Sequence, residues 1–87
     1  MTAPLELRIR VEVAFPGSAI ETHPDGGWRV TFPGPIDLAG LTIYQANAWP
    51  TPTGGFGCQI VLPRDALALP KSMWRAARDE LRLQLAL

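Results

Sequence analysis

The side chains that do chemistry in enzymes are scarce in this 87-residue chain, which has one histidine and one cysteine. His23 stands in a polar turn, and neither Ser18 nor Ser72 lies in a sequence typical of a catalytic serine. Cys58 falls on the apolar side of a predicted strand and lacks the nearby positive charge that activates a thiol. We therefore expect no metal site, no cofactor and no enzymatic activity.

A periodic set of cations near the C-terminus is the pattern most typical of binding chemistry. Its members recur at helical spacing: Lys71, Arg75, Arg78 and Arg82. Residues 64–87 are net positive and the rest of the chain is equally negative, so the whole chain is neutral at pH 7. A cationic stripe of this kind binds the phosphates of a nucleic acid. The alternative is that these side chains favour the helix dipole and cover the rim of the core with their stems.

Alternating and turn-forming residues predict a sheet ahead of that helix. Residues 5–13 alternate strictly between apolar and charged, which is typical of a strand with one wet face. Further strands are predicted over residues 19–22, 28–32, 41–46 and 56–62, with a chain break at Pro33-Gly34-Pro35. From Pro70 the period becomes helical, with an apolar stripe formed by Trp74, Ala77, Leu81 and Leu85. The expected fold is α+β: a curved antiparallel sheet of four to five strands with one C-terminal helix packed on its apolar face.

The wet face of the predicted sheet is a second candidate binding surface. It would present Arg8 and Arg10 from the first strand, and Arg29, Tyr44 and Gln59 from later strands. Arginines around an exposed aromatic ring hold single-stranded nucleic acid by phosphate contact and base stacking. Cross-strand ion pairs on an ordinary solvated face explain the same residues equally.

Three apolar residues are candidates for contact with a protein partner. Trp49 lies in a predicted loop over residues 49–55, where a tryptophan either packs back onto the sheet edge or contacts a partner. Leu83 and Leu87 form, with Ala76, a second apolar patch on the helix. Because so small a domain cannot bury two sides of its only helix, this patch favours a homodimer or a partner groove. Fraying of the last helical turn is the alternative.

Length and composition indicate a single domain over residues 1–87, with 47% hydrophobic and 18% charged residues. The chain has no apolar run long enough to span a membrane and no secretory signal, and with one cysteine this predicts a cytoplasmic protein. The zero net charge argues against a strong polyanion binder. Seven arginines against one lysine are typical of a high-GC bacterial or phage genome.

The order of these phrases resembles the septation-regulator (SpoVG-type) family over about residues 28–85. The phrases that carry the resemblance are Arg29 to Phe32, Ile36 to Ile43 and Gly57 to Arg64, followed by the terminal helix. Members of that family are small dimeric bacterial proteins that bind nucleic acid. The resemblance implies a binding role for Arg64, which follows the strand–proline phrase, and for the cations of the last helix. The strands-then-helix order is also similar to the single-strand-binding coactivator fold.

Two hypotheses from different classes follow. The first is a small, non-catalytic, homodimeric nucleic-acid-binding regulator that uses Arg64 and the helix cations, or alternatively the sheet face. The second is a protein-binding module or inhibitor of the kind that phages and mobile elements encode, acting through the Trp49 loop and the C-terminal helix. Binding driven by phosphates weakens steeply as salt rises, whereas contact through a tryptophan and leucines does not.

Overall fold

The chain forms a four-stranded antiparallel sheet with two helices. The computed structural model describes residues 3–87. Residues 1 and 2, which belong to the predicted domain, lie outside the described part. The elements in chain order are α1 (Leu5–Ala14), β1 (Ala19–Thr22), β2 (Trp28–Leu38), β3 (Leu41–Pro50), β4 (Phe56–Ile60), a 3-10 helix (Arg64–Ala68) and α2 (Lys71–Gln84). The strand order is β1-β2-β3-β4. The predicted α+β class, with an antiparallel sheet and a C-terminal helix, is confirmed.

The segment predicted as the first strand is a helix. α1 buries Leu7 and Val11, which are four residues apart, and Ala3 and Phe15 extend the same stripe at its two ends. A strict apolar–charged alternation contains such an i, i+4 stripe, so the pattern is compatible with a helix as well as a strand. The prediction of a strand over residues 5–13 is therefore wrong.

The core lies between one face of the sheet, here termed the inner face, and the helices. Strand residues that point into it include Trp28, Val30, Ile43, Ala46, Ala48, Cys58 and Ile60. The predicted helix stripe is confirmed: Ala77 and Leu81 are fully buried, Leu85 is nearly so, and Trp74 packs against the core while partly exposed. Both helices bury side chains in this core, so the other face of the sheet, the outer face, is left to solvent. Among residues 3–87, no helix is long and apolar enough to cross a membrane.

β2 continues through the prolines at which the sequence predicts a break. Its pairing with β3 changes register between Thr31 and Ile36, and Pro33 and Pro35 fall within that irregular stretch. Proline cannot donate a hydrogen bond to a neighbouring strand, so it is tolerated where regular pairing is interrupted. The predicted break is therefore an irregularity within a strand that ends only at Leu38.

A tight turn at Ala39 and Gly40 joins β2 to β3. Both residues have positive φ, 50° and 87° respectively, as in the two-residue hairpin turns that match the twist of a sheet. The Asp37 carboxylate accepts a hydrogen bond from the Gly40 amide at 2.8 Å, and the Glu80 carboxylate of α2 accepts one from the Ala39 amide. Glu80 thereby ties α2 to the hairpin and holds an alanine in a conformation that glycine or asparagine adopts at lower cost.

Candidate functional site

The predicted cations of the C-terminal helix lie along one side of α2. We term Lys71, Arg75, Arg78 and Arg82 the cationic ridge. A depression of about 140 Å³ beside the ridge is lined by Lys71, Trp74, Arg75, Arg78 and Gln59. Gln59 belongs to β4, an edge strand of the sheet, so the depression joins the helix to the sheet. Positive charge, an indole side chain and an amide in one hollow suit a phosphate with an adjoining base.

Neighbouring acids leave most of the charge of the cationic ridge uncompensated. Arg78 pairs with Asp79 at 3.1 Å, an exposed contact of the kind that contributes little energy. Within residues 3–87, no carboxylate lies within ion-pair distance of the other three ridge cations. Glu80, the other acid of α2, is directed to the β2–β3 turn instead. The ridge therefore keeps positive charge available to an anion in solvent.

Arg64 lies outside this depression, on the 3-10 helix that precedes α2 in the chain. It is exposed on the 3-10 helix and does not line the hollow. The 3-10 helix is fixed to α2 because the Trp74 indole N–H donates a hydrogen bond to the Ala66 carbonyl at 2.8 Å. Arg64 thus belongs to an element that is fixed to α2, but its charge lies outside the depression.

Arg82, the last cation of the ridge, lines a second and wider depression of about 380 Å³. This hollow lies where α1, the end of α2 and the β3–β4 loop meet, and its lining includes Glu6, Arg10, Phe56 and Leu87. Because the Glu6 carboxylate shares this hollow with the Arg10 and Arg82 guanidinium groups, the hollow is less suited to an anion than the first depression is.

The two arginines predicted to lie on the wet face of the sheet belong instead to α1. Arg8 is exposed there, whereas Arg10 extends to the C-terminal end of α2. Arg10 Nη1 donates hydrogen bonds to the carbonyl oxygens of Leu85, at 3.3 Å, and Ala86. A cation at this end of a helix interacts favourably with its dipole and satisfies carbonyls that have no helical partner. The assignment of Arg8 and Arg10 to the sheet is wrong, and Arg10 caps α2.

The two leucines predicted to contact a partner differ in exposure. Leu83 is 80% exposed on α2, whereas Leu87 is half-buried and packs against the core. The Leu87 amide donates to the Arg82 carbonyl at 2.9 Å and the Ala86 amide donates to the Leu83 carbonyl at 3.1 Å. This pair of bonds is a Schellman turn, which folds the residue after the helix back onto it. The turn therefore leaves Leu83, rather than Leu87, as the apolar surface of this segment.

The outer face of the sheet holds Arg29 among uncharged partners. Its guanidinium donates hydrogen bonds to the side-chain oxygens of Asn47 and of Gln45, the latter at 3.3 Å. Its Nη2 lies 3.1 Å from Nε2 of His23. Because none of these partners is anionic, Arg29 is oriented without being neutralised. Tyr44 is exposed on β3, as predicted.

Trp49 lies in β3 and not in a loop, because the strand continues to Pro50. Its partner in β4 is Gly57, and its side chain lies against that glycine: a Cβ added to Gly57 would come within 2.4 Å of the indole Nε1. Trp49 is nevertheless 42% exposed. The predicted loop over residues 49–55 is therefore wrong at its start, and the tryptophan packs onto the sheet with part of its ring in solvent.

Cys58 is buried on the inner face among apolar side chains. Burial raises the pKa of its thiol, against the smaller opposing effects of Arg82 and Arg78. The neutral thiol is thus the stable form, and Cys58 packs as a small apolar residue. In the described part of the chain, no three His, Cys, Asp or Glu side chains come together in a group that would hold a metal ion.

Asn47 is a site residue that the sequence patterns do not single out, and Gln59 is one that they place on the wet face of the sheet but not beside the ridge. Gln59 lines the depression beside the ridge, and Asn47 orients Arg29. Strand alternation marks such residues as facing solvent but gives them no partners. The pairing register places Arg29, Asn47 and Gln59 in one row across β2, β3 and β4, and this register is the signal that links them.

Comparison with known proteins leaves the chain without an assigned family. No family model, no curated protein and no solved structure matches it. The resemblances to the septation regulators and to the single-strand-binding coactivator fold therefore stay predictions.

Proposed function

We propose that this chain is a small, non-catalytic, nucleic-acid-binding regulator that binds phosphates with the cationic ridge of α2. The observation that carries the proposal is the depression beside β4, where Lys71, Arg75 and Arg78 converge. Of these three cations, only Arg78 has an ion-pair partner among residues 3–87. An anion that entered the hollow would therefore meet charge that no acid of the described chain already satisfies.

The helix dipole does not account for these cations. Lys71 is the first residue of α2 and Arg75 lies about one turn later, whereas the dipole favours acids at this end. Only Arg82 lies in the last turn, and Arg10 already caps the C-terminal carbonyls. Cations at the start of a helix reduce its stability slightly, so a binding role explains the pattern better than a stabilising one.

The length of the cationic ridge suits a nucleic-acid strand. From Lys71 to Arg82 the helix rises about 16 Å. Measured along the axis of a duplex, where one strand has a phosphate about every 3.4 Å, this length spans about five phosphates, more than the four ridge cations can contact. Because successive ridge residues are three or four positions apart, a charge recurs about every 5 Å along the helix. The ridge is therefore expected to make three or four phosphate contacts.

Gln59 connects the ridge to the outer face of the sheet. Its row continues through Asn47 to Arg29, which is oriented but not neutralised. Trp49 exposes part of its indole beside this row and offers a ring on which an unpaired base stacks. We therefore propose that a single strand runs from the ridge onto the outer face and binds more tightly than a duplex of the same sequence.

Fluorescence anisotropy with labelled single- and double-stranded oligonucleotides, over a series of salt concentrations, tests the proposal. For a single strand with three or four phosphate contacts, log K is expected to fall with log salt at a slope of about −2 to −3. The charge reversal Arg75→Glu/Arg78→Glu should abolish binding, whereas the charge-preserving control Arg75→Lys/Arg78→Lys should retain it. Absence of binding at low salt, or unchanged affinity after charge reversal, would refute the ridge as the binding surface.

Trp49 and Leu83 support a second candidate, a protein-binding module or inhibitor. Both side chains are partly or largely exposed. However, Trp49 lies against β4 on the sheet and Leu83 lies on α2, so the two side chains belong to different elements. This candidate replaces the first if oligonucleotides fail to bind. It predicts a complex that persists at high salt and is lost on Trp49→Ala or on Leu83→Ala.

A further inference from the structure

α1 carries a second apolar stripe that no other part of residues 3–87 covers. Leu5, Ile9 and Val13 are 62%, 53% and 79% exposed. They recur every fourth residue, on the side of the helix opposite to the buried Leu7 and Val11. A continuous row of large aliphatic side chains on a small domain marks an interaction surface more often than an ordinary solvated face.

We propose that α1 is a homodimer interface in which this stripe packs against the same stripe of a second copy of the chain, in antiparallel orientation. A two-fold axis beside Ile9 brings the two Ile9 side chains together. The same axis places Leu5 of each copy opposite Val13 of the other. Because Leu5 and Val13 are equally far from Ile9 along the helix, the stripe is complementary to itself, as a two-fold contact requires.

The charged residues beside the stripe fit a second copy. Arg8 and Glu12 lie along one flank of the stripe, and the two-fold axis sets this flank against itself with the direction reversed. Arg8 of one copy then lies about 3 Å along the axis from Glu12 of the other, so two ion pairs form across the interface. Arg8 has no ion-pair partner within residues 3–87, and Glu12 accepts a long hydrogen bond of 3.3 Å from the Gly17 amide.

Other occupants of the stripe fit less well. The charges beside it, Glu6, Arg8, Arg10 and Glu12, sum to zero, so an anionic lipid surface gains no net electrostatic attraction to the stripe. The exposed Leu83 of α2, which the sequence suggests as a dimer contact, has Asp79 and Glu80 on the preceding turn and does not extend into a stripe. The inference about α1 does not depend on nucleic-acid binding.

Sedimentation equilibrium of the full chain, without nucleic acid and over a wide concentration range, tests the interface. One ten-residue helix from each copy forms a small contact, so the expected dimer is weak, with a Kd in the micromolar range. Ile9→Glu, which changes a half-exposed residue, is expected to weaken the dimer about 100-fold while circular dichroism shows an unchanged fold. Leu83→Glu, the matched control on α2, is expected to leave the dimer unchanged.

A charge exchange tests the orientation of the two helices. Arg8→Glu is expected to weaken the dimer about tenfold because it sets like charges against each other. Arg8→Glu/Glu12→Arg should restore the dimer, since the exchanged charges are again complementary. A monomer at every concentration, a dimer unaffected by Ile9→Glu, or a failure of the exchange to restore association would each overturn the inference. None of these outcomes bears on the ridge, because anisotropy measures oligonucleotide binding separately.

Discussion

Arg10 is expected to stabilise the fold by capping α2, and its replacement separates folding from binding. Arg10→Met keeps an aliphatic stem but removes the hydrogen bonds to the Leu85 and Ala86 carbonyls, together with an exposed ion pair to Glu6 that contributes little. Hydrogen bonds from charged groups contribute about 1.5–3 kcal/mol, and the helix dipole adds to them. Two features reduce the loss: the side chain is 31% exposed, and its Nε is buried without a partner, so methionine removes a desolvation cost. We expect a net loss of about 1–2 kcal/mol.

Urea unfolding, monitored by circular dichroism, measures this loss of stability. All variants are compared at the same low protein concentration. The midpoint should fall with an unchanged m value, and Tm should fall by roughly 5–10 °C. Arg75→Met is the matched control, because Arg75 is exposed on α2 without an ion-pair partner among residues 3–87. It should change stability by less than about 0.5 kcal/mol. Oligonucleotide affinity should show the reverse order, reduced by Arg75→Met and retained by Arg10→Met. Equal stability of the two variants would show that Arg10 does not cap α2.

Ala39→Asn should raise the free energy of unfolding by about 0.5–1 kcal/mol, since asparagine tolerates the φ of 50° better than alanine. Ala76→Asn on the exposed side of α2 should lower it by about 0.5 kcal/mol, and thermal unfolding that moves both variants in one direction would contradict this account. Cys58 should react with iodoacetamide much more slowly in the folded chain than in urea, because burial raises the pKa of its thiol. A raised folded pKa gives stability that is present below the unfolded pKa and lost as pH rises. Relative to Cys58→Ala, the chain should therefore lose stability in alkaline solution, above the thiol's ordinary pKa of 9.0.

The first helix shows how one sequence pattern supports two structures. Alternation over residues 5–13 places apolar side chains on one face of a strand, but it also contains two i, i+4 stripes on opposite sides of a helix. The structure uses the stripe of Leu7 and Val11 and leaves the other exposed. A local signal did favour the helix, because Glu6 and Arg10 stand four residues apart and pair at 2.9 Å. The starts of the later strands were predictable because turn residues precede them, whereas β2 and β3 run past their predicted ends at residues 32 and 46.

The roles of the arginines were not predictable from the sequence because each depends on a distant partner. Arg10 caps carbonyls some 75 residues away along the chain, and Arg29 is held by side chains from β3 and from the turn before β2. Helical spacing did identify the cationic ridge, since neighbours on a helix surface follow from the sequence alone. Local periodicity thus found the candidate surface on α2, whereas the pairing register and the docking of α1 decided which other cations are free.

The salt dependence of binding joins the two proposed surfaces in one measurement. Arg10 is tied to carbonyls and Arg64 lies outside the depression, so one copy offers the ridge cations as its main phosphate contacts. A single copy should therefore give a slope of about −2 to −3 with a single strand. If α1 pairs two copies, a long strand engages two ridges and the slope should nearly double, while Ile9→Glu should keep the single-copy slope. Equal slopes for the unmodified chain and for Ile9→Glu would mean that the two ridges of a dimer bind different strands.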